Sequence, residues 1–364
     1  MSRRTDSDNR SQHDRAEEWM ALAAEITAET HPHPNPRVGA VVVAVDGSVV
    51  AAAAHLGPGR RHAEAAALET AGAAAREATL VVTLEPCNHH GRTPPCTEAI
   101  ISAGVSTVLV GAGDPDARVR GRGIARLREA GIEVVGLDSA AARAVDPGYF
   151  HHRRTGRPLV TLKTAMTLDG QVAALDRTSQ WITSAAARAD GHRLRAASDA
   201  VLVGAGTVIA DDPQLDVRLP DHDGPQPRPV VVAGRRELPA NARLFERDPL
   251  VYASRHHPLP GGEIVVVGGT GNVDLDAVLK DLGARNIVDL LVEGGATLAD
   301  ALWSAGLVDR VVFYFGGKLA GGAGLGPFAG SFETLRDATD VTITNVTRLG
   351  DDLRVEAVPA KGGL

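Results

Sequence analysis

Hydrophobic positions along this chain switch repeatedly between a helical and a strand period. Residues 16–30 (AEEWMALAAEITAET) space their apolar side chains as one face of a helix. The runs VGAVVVAV and SVVAAAA follow, joined through Asp46-Gly47, a strong two-residue hairpin signal. Next come helical HAEAAALETAGAAA, strand-like ATLVVTL, a short helix CTEAIISAG, the strand STVLVGA, the helix RGIARLREAG and the strand IEVVGL. The predicted order α-β-β-α-β-α-β-α-β describes one sheet with helices on its faces. Residues 147–158 (PGYFHHRRTGRP) interrupt it with Gly, Pro and basic groups, the composition of a linker, and the charge there reads as a solvated hinge rather than an RNA patch. The α/β pattern then restarts. PLVTLKTAMTL, DAVLVGAG, RPVVVAG, EIVVVGG, NIVDLLVEGG, DRVVFYFGG, VTITNVTRL and DLRVEAV are predicted strands, with helices around AAARADGHRLRAA, DLDAVLKDLG and ATLADALWSAG. Residues 212–229, rich in Pro and Asp, are a predicted loop, and no internal repeat is visible.

At about 150 residues per domain, a chain of 364 residues holds two domains. The expected division is a disordered tail over 1–14, a first domain over 15–148, a linker over 149–157 and a second domain over 158–360. A formal charge of −7 argues against a polyanion-binding protein, and 44% hydrophobic residues exclude disorder as the main state. No apolar run reaches the roughly 18 residues of a membrane span, and the first 18 residues lack the apolar stretch of a secretory signal. Two cysteines, Cys87 and Cys96, exclude a disulfide scaffold and point to metal binding or catalysis in a reducing cytosol. With 3% aromatic residues, aliphatic side chains must build the cores.

Those cysteines carry the sharpest chemistry. His62-Ala63-Glu64 is followed by Pro86-Cys87, 25 residues beyond His62, and by Cys96 nine further on. One imidazole and two thiolates suit Zn²⁺, and three protein ligands leave a fourth position for water. Glu64 lies two residues from His62, close enough to move protons without ligating, in the H-x-E…P-C pattern of zinc nucleobase deaminases. A closed structural zinc, with His89 or His90 as fourth ligand, is the rival reading, and it leaves Glu64 unexplained. Eight residues (NHHGRTPP) separate the cysteines, where the general pattern has two.

The second half contains no G-x-G-x-x-G opening a helix after a strand; Gly204-Ala205-Gly206 and Gly268-Gly269-Thr270-Gly271 both fail the spacing, which disfavours a Rossmann domain. VEGGATLADAL is stronger. Gly294-Gly295 between a strand and a helix lets backbone amides approach a phosphate, although a tight βα turn needs the same residues. Lys163 lies in an apolar strand and needs a partner if buried. Asp169-Gly170 reads as a hairpin turn.

THPHPNPRVGAVVV, HAEAAAL and TLEPCNHHGRTPPCTEAI resemble the deaminase half of the bifunctional riboflavin-biosynthesis deaminase/reductase family, which has the longer insertion between its cysteines. TLKTAMTLDGQVA, SQWITS, GAGTVIADDPQLDVR and LLVEGGATL are similar to its reductase half. The resemblance covers nearly the whole chain beyond the tail. It implies an α/β fold class: a cytidine-deaminase-like three-layer α/β/α domain followed by a dihydrofolate-reductase-like α/β domain. It implies zinc on His62, Cys87 and Cys96, with Glu64 as proton shuttle and Asn35 contacting substrate. His89, His90, Arg92 and Thr93 would line that pocket. For NADPH it implies Ala165, Trp181, Thr207, Asp211, Gly234 and Gly295, Ala296, Thr297, Leu298, Ala299, Asp300 and Ala301. For substrate it implies Ser179, Arg195, Leu215, Arg218 and Glu293, with both arginines suited to gripping a phosphate bidentately. Lys163 is expected to hydrogen-bond the substrate ring or polarise the reacting carbon. The implied reactions are deamination of 2,5-diamino-6-(5-phosphoribosylamino)pyrimidin-4(3H)-one and NADPH-dependent reduction of 5-amino-6-(5-phosphoribosylamino)uracil, by a cytoplasmic homo-oligomer without nucleic-acid or membrane partners. Two alternatives remain at this point: a nucleic-acid deaminase, which needs a basic substrate channel, and a zinc- and NADP-binding sensor without turnover.

Overall fold

The computed structural model describes residues 6–360 except 92, 269–272 and 332, without the side chains of 6–12. The chain divides into two compact units, Met1–Thr155 and Gly156–Leu364. Among the described residues no helix is long and apolar enough to cross a membrane.

The first unit runs α1 (Asp6–Glu25), β1 (Gly39–Val43), β2 (Val49–Ala54), α2 (Ala63–Ala71), β3 (Thr79–Leu84), α3 (Cys96–Ala103), β4 (Thr107–Ala112), α4 (Arg122–Glu129), β5 (Glu133–Gly136), α5 (Ala140–Ala144) and α6 (Pro147–Thr155). Its sheet has the order β2-β1-β3-β4-β5. The hairpin at Asp46-Gly47 makes β1 and β2 antiparallel, β1 also pairs antiparallel with β3, and β3, β4 and β5 are parallel. The strands β1, β3 and β4 are buried nearly end to end, as a sheet covered on both faces requires. Helices α1 and α5 meet over Gly111 on one face.

Two boundaries differ from the sequence reading. Residues 6–14, expected in a disordered tail, belong to α1, while 1–5 lie outside the described residues. Residues 149–155, expected in a linker, complete α6. The cause is local: the Asp146 carboxylate accepts the Tyr149 N–H at 2.9 Å, and Pro147 opens the first turn, where its missing N–H is harmless.

The second unit contains β6 (Leu159–Thr167), α7 (Ala185–Ala196), β7 (Ala200–Gly204), α8 (Ala205–Asp211), β8 (Arg228–Gly234), β9 (Leu250–Ala253), β10 (Glu263–Val266), α9 (Leu275–Ala284), β11 (Asp289–Val292), α10 (Ala296–Ser304), β12 (Arg310–Gly316), β13 (Val341–Leu349) and β14 (Asp352–Pro359). They form a nine-stranded sheet of order β10-β9-β8-β7-β11-β6-β12-β14-β13, parallel from β10 to β12 and closed by the antiparallel β14 and β13. Alternate residues of its strands enter two cores. Leu202, Val230, Leu250, Leu290 and Val292 pack with Leu279 and Leu282 of α9 and Leu302 of α10. Val201, Val203, Val231, Val251 and Leu291 pack with Val208 of α8 and with Leu244. The carboxyl ends of β6, β7, β8 and β11 therefore share one edge, the usual ligand edge of an open parallel sheet.

Candidate active sites

In the first unit, three elements deliver three metal-binding atoms to one point. His62 is the N-cap of α2, Cys87 follows β3, and Cys96 opens α3. His62 Nδ1 lies 3.2 Å from Cys96 Sγ and 3.5 Å from Cys87 Sγ. Tetrahedral zinc places nitrogen and sulfur ligands about 3.5 Å apart, so the donor set fits the ion. Among the described residues neither His89 nor His90 joins that cluster. The other ring nitrogen, Nε2, is 3.3 Å from Thr93 Oγ1, a partner that orients the imidazole. The Cys96 backbone N–H donates to Cys87 Sγ at 3.4 Å. The Cys96 thiol, followed by His62 and that N–H, lowers the Cys87 pKa well below its ordinary range.

Glu64, in the first turn of α2, is 3% exposed. Burial pushes its carboxyl up to about 7, with the Cys87 thiolate adding to the rise. Glu64, His62 and Cys87 line a cavity of about 430 Å³ with Asn35, His55, His89 and Thr93. His55 Nδ1 pairs with the Arg61 carbonyl at 3.1 Å and its Nε2 with Asn35 Nδ2 at 3.1 Å. With Nδ1 protonated, Nε2 accepts from the amide, and the Asn35 oxygen is left to serve as an acceptor.

The same cavity also takes in Asp114, Asp116, Arg118, Tyr149 and Arg153, none of which was singled out as a site residue from sequence. Arg118 binds Asp116 through Nε and Nη2 at 3.0 and 2.6 Å, and that pairing holds the Asp116 carboxyl at about 2. Arg153 lies over the Tyr149 ring at 4.9 Å and 3.7 Å from Asp116. It came from the stretch read as a solvated hinge, and Asp146 was the signal that α6 begins there. Arg92 lies outside the described residues.

The segment before Cys87 is clamped to α4. The Glu85 carboxylate accepts the N–H groups of Gly121, Gly123 and Ile124 at 3.0, 3.1 and 3.4 Å. A Cβ on Gly123 would fall 1.9 Å from the Pro86 carbonyl oxygen, so the two backbones meet where no side chain fits.

In the second unit, strand register builds the site. Val292 of β11 is level with Leu162 of β6, so Glu293 follows beside Lys163, and Lys163 Nζ is 3.9 Å from Glu293 Oε2. This is the partner the buried lysine required. The Arg195 Nε and Nη2 donate to Glu293 at 2.8 and 2.9 Å, while Nη1 donates to the Asp216 carbonyl at 2.9 Å. The Arg195 fork, expected to grip a phosphate, is paired with Glu293 in this structure. Arg218 is exposed, 3.5 Å from Asp216, and its backbone N–H donates to His192 Nδ1 at 3.2 Å. His192 is a further polar group of this cluster that sequence reasoning missed.

The other predicted positions separate into groups. Gly295 caps α10, and a Cβ there would lie 3.9 Å from Thr207 Oγ1, so the turn after β11 faces α8. A Cβ on Gly294 would come within 2.8 Å of Leu298 Cδ2, which explains the first glycine. Of the stretch Gly295–Ala301, Leu298 and Ala299 point into the core. Leu215 is also fully buried, with a φ of +57°, and its side chain belongs to the core that contains Val203 and Leu244. Asp211 is exposed at the end of α8, Gly234 ends β8, and Ala165 lies two residues past Lys163 on β6. Ser179 and Trp181 line a separate hollow of about 590 Å³ with Thr167, Gln171 and Lys318; it contains none of the other predicted positions.

A five-stranded α/β unit with a His-Cys-Cys cluster beside a buried glutamate defines a zinc-dependent deaminase, here joined to a mostly parallel α/β unit with a charged site at its strand ends. Residues 13–112 match the cytidine and deoxycytidylate deaminase zinc-binding region, and residues 158–355 match the RibD C-terminal domain. The riboflavin biosynthesis protein RibD of Escherichia coli is 38% identical over 366 residues, covering 94% of this chain and 99% of that protein. Its counterpart in Mycobacterium tuberculosis is 39% identical, covering 94% and 97%. The solved structure of Acinetobacter baumannii RibD superposes with a TM-score of 0.90 at 36% identity, over 96% of this chain and all of that one. The Thermotoga maritima diaminohydroxyphosphoribosylaminopyrimidine deaminase/5-amino-6-(5-phosphoribosylamino)uracil reductase superposes at 0.87 with 34% identity and the same coverage. The chain belongs to the RibD family of bifunctional deaminase–reductases of riboflavin biosynthesis.

Proposed function

We propose that the first unit deaminates 2,5-diamino-6-(5-phosphoribosylamino)pyrimidin-4(3H)-one and the second reduces the resulting 5-amino-6-(5-phosphoribosylamino)uracil. The observation that carries this reading is a cavity lined by His62, Cys87, Glu64 and Asn35, with Cys96 completing the His-Cys-Cys cluster behind it. Zinc, when bound by the imidazole and the two sulfurs, supplies a Lewis acid at which water is a nucleophile at neutral pH. Glu64 moves the protons. It accepts one from the attacking water as the new C–O bond forms and delivers it to the ring nitrogen, then takes a second from the added hydroxyl and passes it to the amine, so that the C–N bond breaks, ammonia leaves and the ring carbonyl forms. Asn35, fixed by its bond to His55, orients the pyrimidine through its amide oxygen. Arg118 and Arg153, in the same cavity, supply positive charge for the phosphoribosyl group.

In the second unit NADPH supplies the reducing equivalent, and the Gly294-Gly295 turn at the start of α10 holds its pyrophosphate. Lys163 and Glu293 hold the substrate and position the sugar carbon beside β6. Arg195 fixes Glu293, and Arg218, with its exposed guanidinium, meets the substrate phosphate. We assign the enzyme to the cytoplasm, in keeping with its two free cysteines. Association of two or more copies is supported by β13, the sheet's edge strand, which exposes Ile343 and Val346. Ile343→Lys should then lower the mass measured by light scattering, and an unchanged mass would refute that placement.

The direct test of the two reactions is product mass. Purified enzyme given the diamino substrate should release ammonia without NADPH, and yield the ribitylamino product when NADPH is added. Recovery of unchanged substrate in both arms would refute the reading.

A further inference from the structure

Strand order decides which way a dinucleotide must lie on the second unit. This inference rests on the reading above, in which the pyrophosphate occupies the turn after β11 and the sugar carbon to be reduced lies beside β6; the nicotinamide must reach that carbon, so it lies over β6 too. β11 has β6 on one side and β7 on the other. With the nicotinamide half over β6, the adenosine half runs the opposite way, across β7 to the end of β8. Neighbouring strands lie roughly 4.8 Å apart, so β8 is about 10 Å from β11, a distance an adenosine can cover.

At the end of β8 the chain reads Gly234-Arg235-Arg236. Gly234 has a φ of +62°, and the Arg236 N–H donates to the Ala233 carbonyl at 3.0 Å, so the chain turns sharply there. The Arg236 guanidinium reaches back to α8: a Cβ on Gly206 would lie 3.7 Å from its Nη1, one residue before Thr207. Arg236 is exposed, and among the described residues no carboxylate lies within ion-pair distance of it. Arg195, Arg218, Arg228 and Arg255 of the same unit each have one. Ser254, at the end of β9, donates its hydroxyl to the Gly234 carbonyl at 3.2 Å and flanks the turn. An unpaired planar guanidinium at the adenosine end is the group that recognises a phosphate monoester. We propose that Arg236 binds the 2′-phosphate of NADPH and sets the preference for NADPH over NADH.

Calorimetric titration of the full-length protein with adenosine 2′,5′-bisphosphate and with adenosine 5′-monophosphate tests this. The wild-type protein should bind the bisphosphate more tightly. Arg236→Ala should weaken the bisphosphate about tenfold or more, the effect of losing a charge-assisted hydrogen bond, and leave the monophosphate unchanged. The unchanged affinity for the monophosphate serves as the control for folding of the second unit, to which Arg236 belongs. An unchanged bisphosphate affinity, or equal losses for both nucleotides, would overturn the assignment. If the wild-type protein binds neither nucleotide, the placement of the dinucleotide itself fails, and this inference fails with it.

Discussion

Arg195 and Glu293, 98 positions apart in the chain, form a two-point ion pair with contacts of 2.8 and 2.9 Å, and Lys163 stands 3.9 Å from the same carboxylate. All three side chains are largely buried. One anion therefore serves two cations at the reductase site. Removing one member of a buried pair typically destabilises a protein by about 3–5 kcal/mol, because the other charge is left uncompensated. Glu293→Ala should lower the unfolding free energy of the second unit by that order and abolish reduction. Denaturant titration followed by an assay on deaminated substrate measures both.

The pH dependence of this pair has a definite sign. Burial by itself would raise the Glu293 carboxyl, but Lys163 and then Arg195 outweigh it and hold the group at about 2. Its folded value lies below the unfolded value of about 4.3. The stabilisation is therefore complete above about pH 4.3 and is lost as pH falls toward 2. The stability gap between wild type and Glu293→Gln should narrow from pH 6 to pH 3. A gap that widens on acidification would show the carboxyl to be raised instead.

Metal removal should divide the two activities. Chelation with dipicolinate is expected to stop ammonia release while leaving NADPH oxidation on deaminated substrate intact, because His62, Cys87 and Cys96 all belong to the first unit. Zinc added back should restore deamination. Parallel loss of both activities would contradict this division.

Gly123→Ala tests the clamp behind Cys87. The new Cβ would meet the Pro86 carbonyl oxygen at 1.9 Å, so α4 or the cysteine segment must move. Overpacking of this kind typically destabilises by about 1–3 kcal/mol. Zinc affinity, measured by competition with a chelator, should fall as well, whereas Gly131→Ala, at a position with open space but a φ of +83°, should leave zinc affinity unchanged.

Much of this architecture was legible because its signals are local. The Asp46-Gly47 turn, the apolar runs of the buried strands and the His62-Ala63-Glu64 and Pro86-Cys87 pairs each declare themselves within a few residues. Short elements were harder: β9 is four residues, Leu250–Ala253, and α8 is seven, too few to show a period. α6 was obscured by its basic residues, although Asp146-Pro147 is a helix start. The remaining gaps are contacts across the sequence. Nothing around Arg195 indicates that Glu293 occupies its fork, and nothing around His55, Asp114 or Arg153 places them in the cavity of His62. Leu215, Leu298 and Ala299 were expected at ligand sites from the resemblance alone, and nothing local to them shows that their side chains join the core.

The central claim is that Glu64 carries protons beside a zinc bound by His62, Cys87 and Cys96, and Glu64→Gln tests it most directly. Zinc content and ammonia release should be measured on the same purified sample. Stoichiometric zinc with deamination reduced by about 10²–10⁴, the usual contribution of general acid–base catalysis, is the expected result. Undiminished ammonia release from a zinc-loaded Glu64→Gln protein would contradict it.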